Sequence, residues 1–299
     1  MSNTSLINKT NKILIIGLGL LGGSYAEGLT DVGLEVGAID IKKETIDYAI
    51  NKGIIKHGRT TVDKEYVSQF DVLIFALYPK QLIEWLKHYQ SYIKKGAILT
   101  DVTGVKTWVT NELKTFIRND IEYVLAHPMA GKEVSGVENA DKNLFKNANY
   151  IIIPNQLASD NAIKVVEDIG KLLGFRNVAK LSEEEHDEMI GFLSQLTHCI
   201  AVSLMTCKET TELVEYTGDS FRDLTRIAKI NENMWSELFL LNKQELLQQM
   251  ELFLTQFNKL KQAIEKEDID QMKEMMKTST LRRSYFDKKN GWLLWKWNF

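Results

Sequence analysis

The 299-residue chain carries five histidines. One of them, His127, ends an apolar run of β type (IEYVLAH) and leads into the turn-forming stretch Pro128-Met129-Ala130-Gly131-Lys132-Glu133. An imidazole with its ordinary pKa of about 6.5 can take or give a proton near neutral pH. The position therefore suits general acid–base chemistry, with a hydrogen-bonded structural role as the alternative. His57 lies in a loop-like stretch and His88 in a helical one, where a solvated imidazole is expected. A second group of residues speaks to a ligand. Gly17-Leu18-Gly19-Leu20-Leu21-Gly22 follows the run ILII and opens a helix near Leu20. There Gly17 permits a tight turn, Gly19 lets backbone N–H groups reach a pyrophosphate, and Gly22 lets helix and strand pack closely. The helix N-terminus adds partial positive charge. Asp40 ends the next β-type run, 18 residues after Gly22, where a carboxylate accepts hydrogen bonds from both ribose hydroxyls and repels a 2′-phosphate. NAD is therefore favoured. Lys42 and Lys43 keep NADP open, and an aspartate capping the next helix is the structural alternative.

These residues need a sheet to position them. From Lys12 to about Ala126, the runs KILIIG, LEVGAID, FDVLIFAL, AILTD and IEYVLAH, with a weaker IIKHGRT, alternate with helical segments. That is the pattern of a parallel sheet covered on both faces. Two more runs, NYIIIP and FRNVAKL, flank a helix near 159–173 and carry the first domain to Leu181. Ligands of such sheets bind beyond the carboxyl ends of the strands, which points to Tyr78 and Pro79, to 101–106 and to 127–133. Beyond Ser182 the chain reads as helix over 183–207, 209–228, 233–266 and 268–284. All three prolines fall in residues 1–154, so none breaks a helix in the second half. Leu246, Met250, Phe253, Phe257, Leu260 and Ile264 recur at helical spacing, a stripe that seeks a partner within its own domain or in a second subunit. The expected fold is an α/β Rossmann-type parallel-sheet domain (1–181), an all-α domain (182–289) and an aromatic tail (290–299).

Composition sets bounds. An apolar fraction of 44% with 26% charged residues excludes a disordered chain. A net charge of −3 offers no broad footprint for nucleic acid, so an anionic ligand must be met by local cations. Cys199 and Cys207 sit eight residues apart in a helical pattern, too far to bridge, and read as reduced thiols. No uninterrupted apolar run approaches the roughly 20 residues of a membrane span, and a cytoplasmic protein with no membrane association is expected.

Taken together, GLGLLGGS, DVTGVK, HPMAGKE followed by SGVE, EEHDEMIGFLSQLTH, and FRDLTRIA followed by MW resemble the bacterial prephenate dehydrogenase family in order and spacing, from about residue 12 to 284. The resemblance implies a Rossmann-type domain followed by a helical dimerisation domain, hence a homodimer. It also implies NAD-dependent oxidative decarboxylation of prephenate to 4-hydroxyphenylpyruvate on the route to tyrosine. On this resemblance His127 takes the proton of the ring hydroxyl, and Arg226 grips a substrate carboxylate, as its planar fork allows. Glu133 stands near the entrance and Trp235 lines the pocket. Ser194 and His198, four apart on one helix face, are directed at the substrate, and His186 is structural.

Two departures bear on chemistry. The family's serine after the fifth run is here Gly104 with Thr103 beside it, and the Thr103 hydroxyl is expected to take over its role. Gln195 replaces a histidine near the substrate side chain, and as a donor or an acceptor it leaves prephenate and arogenate both open. Among other readings, a β-hydroxyacid dehydrogenase would need a lysine in a glycine-rich helix, which the second half lacks. A non-catalytic NAD-sensing dimer would bind cofactor without a substrate site.

Overall fold

The computed structural model describes residues 6–209 and 211–286; the aromatic tail at 290–299 lies outside them. Eight strands form one sheet: β1 (Lys12–Ile16), β2 (Glu35–Ile39), β3 (His57–Arg59), β4 (Val72–Phe75), β5 (Ile98–Asp101), β6 (Glu122–Pro128), β7 (Asn149–Ile153) and β8 (Asn177–Lys180). Their order is β3-β2-β1-β4-β5-β6-β7-β8, and the first six are parallel. That is the doubly wound dinucleotide-binding arrangement. The expectation of a wholly parallel sheet fails at one place: β7 runs antiparallel to β6, pairing His127 with Ile151 and Pro128 with Tyr150. A buried apolar run looks the same in either direction, so its sequence does not carry the sense of pairing. His57, expected in a loop, lies in β3 and meets the Tyr66 hydroxyl through Nδ1 at 2.8 Å.

The apolar runs are continuous because the sheet is covered twice. Ile13, Ile15, Val72, Ile74, Val124 and Ala126 face one core. Leu14, Ile16, Leu73, Phe75, Tyr123 and Leu125 face the other. Each large aliphatic side chain so buried contributes about 1.5–3 kcal/mol. Alternation then turns His127, the residue after Ala126, toward the second core, where Met189, Met234, Trp235 and Leu238 also pack.

The helices of the first half are α1 (Leu20–Asp31), α2 (Lys43–Asn51), α3 (Lys64–Val67), α4 (Pro79–Tyr89), α5 (Thr107–Lys114) and α6 (Asp160–Leu172). Those of the second are α7 (Glu183–Ile190), α8 (Thr197–Thr206), α9 (Asp219–Thr225), α10 (Glu232–Leu241), α11 (Lys243–Glu265) and α12 (Ile269–Ser284). A capping box of Ser182 and Glu185 starts α7. The helix expected over 183–207 is interrupted by a π-helical turn, Gly191–Leu196. Gly218 caps α9, so the helix expected over 209–228 is short 3₁₀ and α pieces. The helix expected over 233–266 breaks at Asn242, whose buried side-chain amide donates to the Asp187 carbonyl at 2.9 Å and to Gln195 Oε1 at 2.8 Å. Apolar periodicity runs straight through that break, so it is set by tertiary hydrogen bonds alone. The stretch Glu183–Thr206 is, by length and composition, apolar enough to cross a membrane, although the polar residues at its start, EEEHDE, keep it from being an uninterrupted apolar run. It buries His186, Asp187 and Gln195 and exposes Phe192 and Leu193.

The chain divides after Leu246 into two compact units, whereas the expected chemical division after Leu181 falls between β8 and α7. Every candidate site residue belongs to the first unit. In the second, Phe257 and Ile264 of the α11 stripe are exposed.

One glycine welds this framework to the ligand loop. A Cβ at Gly22 would lie 1.9 Å from the Gly17 carbonyl oxygen. Gly22→Ala is therefore expected to force α1 off β1, lowering the unfolding free energy by about 1–3 kcal/mol, as overpacking does. Chemical denaturation measures this, and unchanged stability would show that the helix moves freely.

Candidate active site

The loop between β1 and α1 is shaped for a ligand of phosphate type. Gly17 has φ +91°, and a Cβ there would meet the Ala76 carbonyl oxygen at 2.6 Å. Gly19 is the N-cap of α1 and provides no side-chain cap, and nothing lies within 4 Å of where its Cβ would stand. Leu20 and Leu21 open the helix behind it. Uncapped N–H groups facing open space at a helix start fit an anionic pyrophosphate. Asp40, half-buried at the end of β2, accepts the Leu18 N–H through Oδ2 at 2.8 Å and the Lys42 N–H through Oδ1 at 2.9 Å. It thereby ties the glycine loop to β2. A carboxylate has about four lone-pair sites, so two backbone bonds leave acceptors for ribose hydroxyls.

His127 stands at the end of β6 with its Nδ1 2.9 Å from Nε2 of His186. His186 Nδ1 is in turn 2.7 Å from Asp187 Oδ1. Burial, the neighbouring His186 and the Lys106 ammonium hold the His127 imidazole well below 6.5. Burial likewise lowers His186, against the pull of Asp187. Asp187 is pushed up by burial, but the His186 bond and charge and two backbone N–H groups outweigh this and hold it below the usual carboxylate range. The pair of imidazoles is thus neutral and the carboxylate ionised.

Beneath this pair lies a buried lysine that sequence reasoning did not single out. Lys106 Nζ bonds Asp101 Oδ1 at 2.5 Å, the Ala126 carbonyl at 2.6 Å and Thr103 Oγ1 at 3.1 Å. Burial lowers its pKa, and Asp101 and Asp187 oppose that. The cluster overturns the role expected for Thr103. Its hydroxyl is 2.5 Å from Asp101 Oδ1 and 3.1 Å from the Val105 carbonyl, and the residue is 3% exposed, so it is engaged within the cluster. Gly104 is the residue beside the imidazole: a Cβ there would lie 3.9 Å from His127 Cε1 and 3.6 Å from Leu238.

A second group gathers around α10. Trp235 stacks on His198 with ring centroids 3.7 Å apart, and one turn later Leu238 reaches Gly104. His198 Nδ1 meets the Ser194 carbonyl at 2.8 Å, and both residues are half-buried. Arg226 is ion-paired with Glu133 of the loop after β6, and both charges act on His198. Five of the six residues expected at the substrate are therefore brought together. Gln195 is not among them. It is 1% exposed, its Nε2 donates to the Leu238 carbonyl at 3.2 Å, and its Oε1 accepts from Asn242. Both amide groups are engaged inside the fold, which corrects its expected place beside the substrate side chain.

A doubly wound sheet with an open glycine loop, and a neutral histidine at a neighbouring strand end, define the class: a dinucleotide-dependent dehydrogenase. Two family domains refine it. The prephenate dehydrogenase nucleotide-binding domain matches residues 28–179, and the prephenate dehydrogenase dimerization domain matches residues 182–278. The chain belongs to the prephenate dehydrogenase family. It is 29% identical to prephenate dehydrogenase of Bacillus subtilis, over 89% of this chain and 74% of that one. It is 30% identical to prephenate dehydrogenase of Lactococcus lactis, over 86% of this chain and 72% of that one. Among solved structures it resembles prephenate dehydrogenase from A. aeolicus in complex with hydroxyphenyl propionate and NAD⁺, with a TM-score of 0.85 and 30% identity over 95% of this chain and 100% of that one.

The double duty of Asp40 can be tested. Asp40→Ala removes the acceptor of the Leu18 N–H as well as any ribose bond. With bonds to a charged group contributing about 1.5–3 kcal/mol, NADH titration by fluorescence is expected to show affinity at least roughly tenfold weaker. Unchanged affinity would mean that the carboxylate only shapes the loop.

Proposed function

We infer that the chain is an NAD-dependent prephenate dehydrogenase acting in tyrosine biosynthesis. The observation that carries this is a neutral histidine, His127, buttressed by His186 and Asp187 at the end of β6, in a chain whose two halves both match the family. NAD⁺, when bound, supplies the hydride acceptor. His127 takes the proton of the substrate's ring hydroxyl as hydride leaves the same carbon. The resulting dienone loses its ring carboxylate as CO₂, and the bonding pair enters the ring. The ring oxygen then takes the proton back, so the products are 4-hydroxyphenylpyruvate, CO₂ and NADH with no net proton released.

The rest of the site supports binding. Arg226 supplies a cation for a substrate carboxylate in a chain of net charge −3, releasing Glu133 as it does so. Trp235 and His198 offer a stacked aromatic wall, with Ser194 beside it. Asp40 favours NAD over NADP. We place a second copy of the chain on α11, where Phe257 and Ile264 are exposed, and assign the dimer to the cytoplasm, where Cys199 and Cys207 stay free thiols.

Purified protein given prephenate and NAD⁺ is expected to form NADH absorbance and 4-hydroxyphenylpyruvate, faster than with arogenate or NADP⁺; no turnover of either substrate would end the reading. His127→Asn is expected to lower kcat by about 10²–10⁴-fold, the usual contribution of acid–base catalysis, without changing NAD⁺ affinity. Arg226→Ala is expected chiefly to raise KM, by roughly tenfold to a hundredfold for a charge-assisted bond. The active form of His127 is the neutral one and its pKa is depressed. kcat/KM should therefore hold as pH falls through 6.5 and decline only below it; a midpoint at or above 6.5 would contradict the depression.

The space at Gly104 yields a further expectation. A serine Cβ fits there without overlap, so Gly104→Ser should change stability by no more than about 0.5 kcal/mol. Its hydroxyl would stand beside the imidazole, and kcat is expected to rise. A fall in the thermal midpoint, or a lower kcat, would refute the fit.

A further inference from the structure

We propose that Asp187, acting through His186, is a positioning residue that sets which ring nitrogen of His127 carries a proton, leaving Nε2 as the one that accepts. The inference rests on the reading of His127 as the base. The Asp187 carboxylate is 2% exposed. It accepts the Lys106 N–H through Oδ1 and the Thr107 N–H through Oδ2, both at 2.8 Å. An ionised carboxylate only accepts. The nitrogen 2.7 Å away, His186 Nδ1, must therefore donate. His186 is wholly buried and neutral, so its Nε2 is left as an acceptor. At 2.9 Å from that atom, His127 Nδ1 must donate in its turn. Neutral His127 then has a free lone pair on Nε2 alone.

The groups around the relay close off the other order. Lys106 could compete for His186 Nε2 or His127 Nδ1 as a donor, but its three protons are matched by Asp101, Thr103 and the Ala126 carbonyl. The charged groups facing the two imidazoles are Asp187 on α7, Asp101 at the end of β5 and Lys106 at the start of α5. Burial keeps the resting pair neutral, and the Lys106 ammonium adds to this by disfavouring a second cation beside it. Reversing the relay would require a protonated Asp187, although that oxygen already receives a backbone N–H. An isolated imidazole side chain in water prefers its proton on Nε2, the wrong nitrogen for a base there, so the buried aspartate changes a preference and does more than hold a ring in place.

The test compares wild type with His186→Leu and His186→Gln by ¹⁵N NMR of histidine-labelled protein above pH 7.5, alongside steady-state kinetics. Wild type is expected to show His127 protonated on Nδ1 and bare on Nε2. His186→Leu removes the acceptor. It should move the His127 proton toward Nε2 and lower kcat by about 10²–10⁴-fold, the loss expected when a catalytic imidazole holds the wrong tautomer, with NAD⁺ affinity and prephenate KM kept. His186→Gln restores a carbonyl acceptor and should recover most of that loss, which a purely structural role for the imidazole would not predict. A wild-type His127 protonated on Nε2 overturns the proposal, as does a folded His186→Leu protein with unchanged kcat. If His186→Leu does not fold, the wild-type tautomer decides. The NMR reading needs no turnover, so wild type with the expected tautomer but no activity toward prephenate or arogenate would reject the assigned reaction and not the relay.

Discussion

The structure is organised around one buried cation. An ammonium removed from water costs several kcal/mol unless its protons are matched, and Lys106, with no exposed surface, matches all three. Its partners come from different places: Asp101 at the end of β5, the Ala126 carbonyl just before His127, and the Thr103 hydroxyl of the connecting loop. Its own backbone N–H goes to Asp187 on α7. One side chain and one amide thus clamp two strand ends and the first helix of the second half, and those are the elements that carry His127, His186 and Asp187. Burial keeps the two imidazoles beside it neutral, and the positive charge adds to that effect.

Much of this could be read beforehand where one interaction decides a residue's fate. Six of the eight strands, β1, β2, β4, β5, β6 and β7, were visible because a strand buried on both faces must be apolar throughout, as Ile13, Leu14, Ile15 and Ile16 are; β3 and β8 lie at the sheet's edges and are only partly buried. His127 was visible because a polar residue at the end of such a strand has few structural reasons to be there. The glycines were visible because Gly17 and Gly22 have no room for a side chain. What was not visible depends on partners distant in sequence. Lys106 reads as a surface lysine until Asp101 and Ala126 close around it. Thr103 seemed placed to stand in for a missing serine, but a carboxylate two residues back captures its hydroxyl. Gln195 and Asn242 satisfy each other across 47 positions, taking one away from the substrate and breaking a helix at the other. His186 next to Asp187 was the available signal for the relay, since an imidazole and an acid in adjacent positions at a helix start can both be buried only if they are paired.

Labour is divided between two kinds of support. His127, His186 and Asp187 are held by short hydrogen bonds between buried groups, where a lost partner leaves a costly unpaired atom. The charges expected to meet the substrate, Arg226 and Glu133, are exposed and held mainly by each other. An arrangement of this kind holds the imidazole pair rigid while leaving the exposed charges free to exchange partners.

The antiparallel turn-back of β7 has a bearing on how such an enzyme diversifies. After Pro128 the chain leaves the sheet and re-enters at Asn149, whose carbonyl accepts the Met129 N–H at 2.9 Å. The twenty residues of that excursion, 129–148, therefore begin and end at the same rung, like a ribbon pinned at both ends to one clip. They carry Glu133 and brace α1 through the Asp141 N–H to Ser24. The exposed stretch 131–135 can change without shifting the register of either strand or disturbing the imidazole at the pin, whereas Val137 and Phe145 are buried in the core beside α1. Change at the exposed tip is thereby uncoupled from the packing around the imidazole.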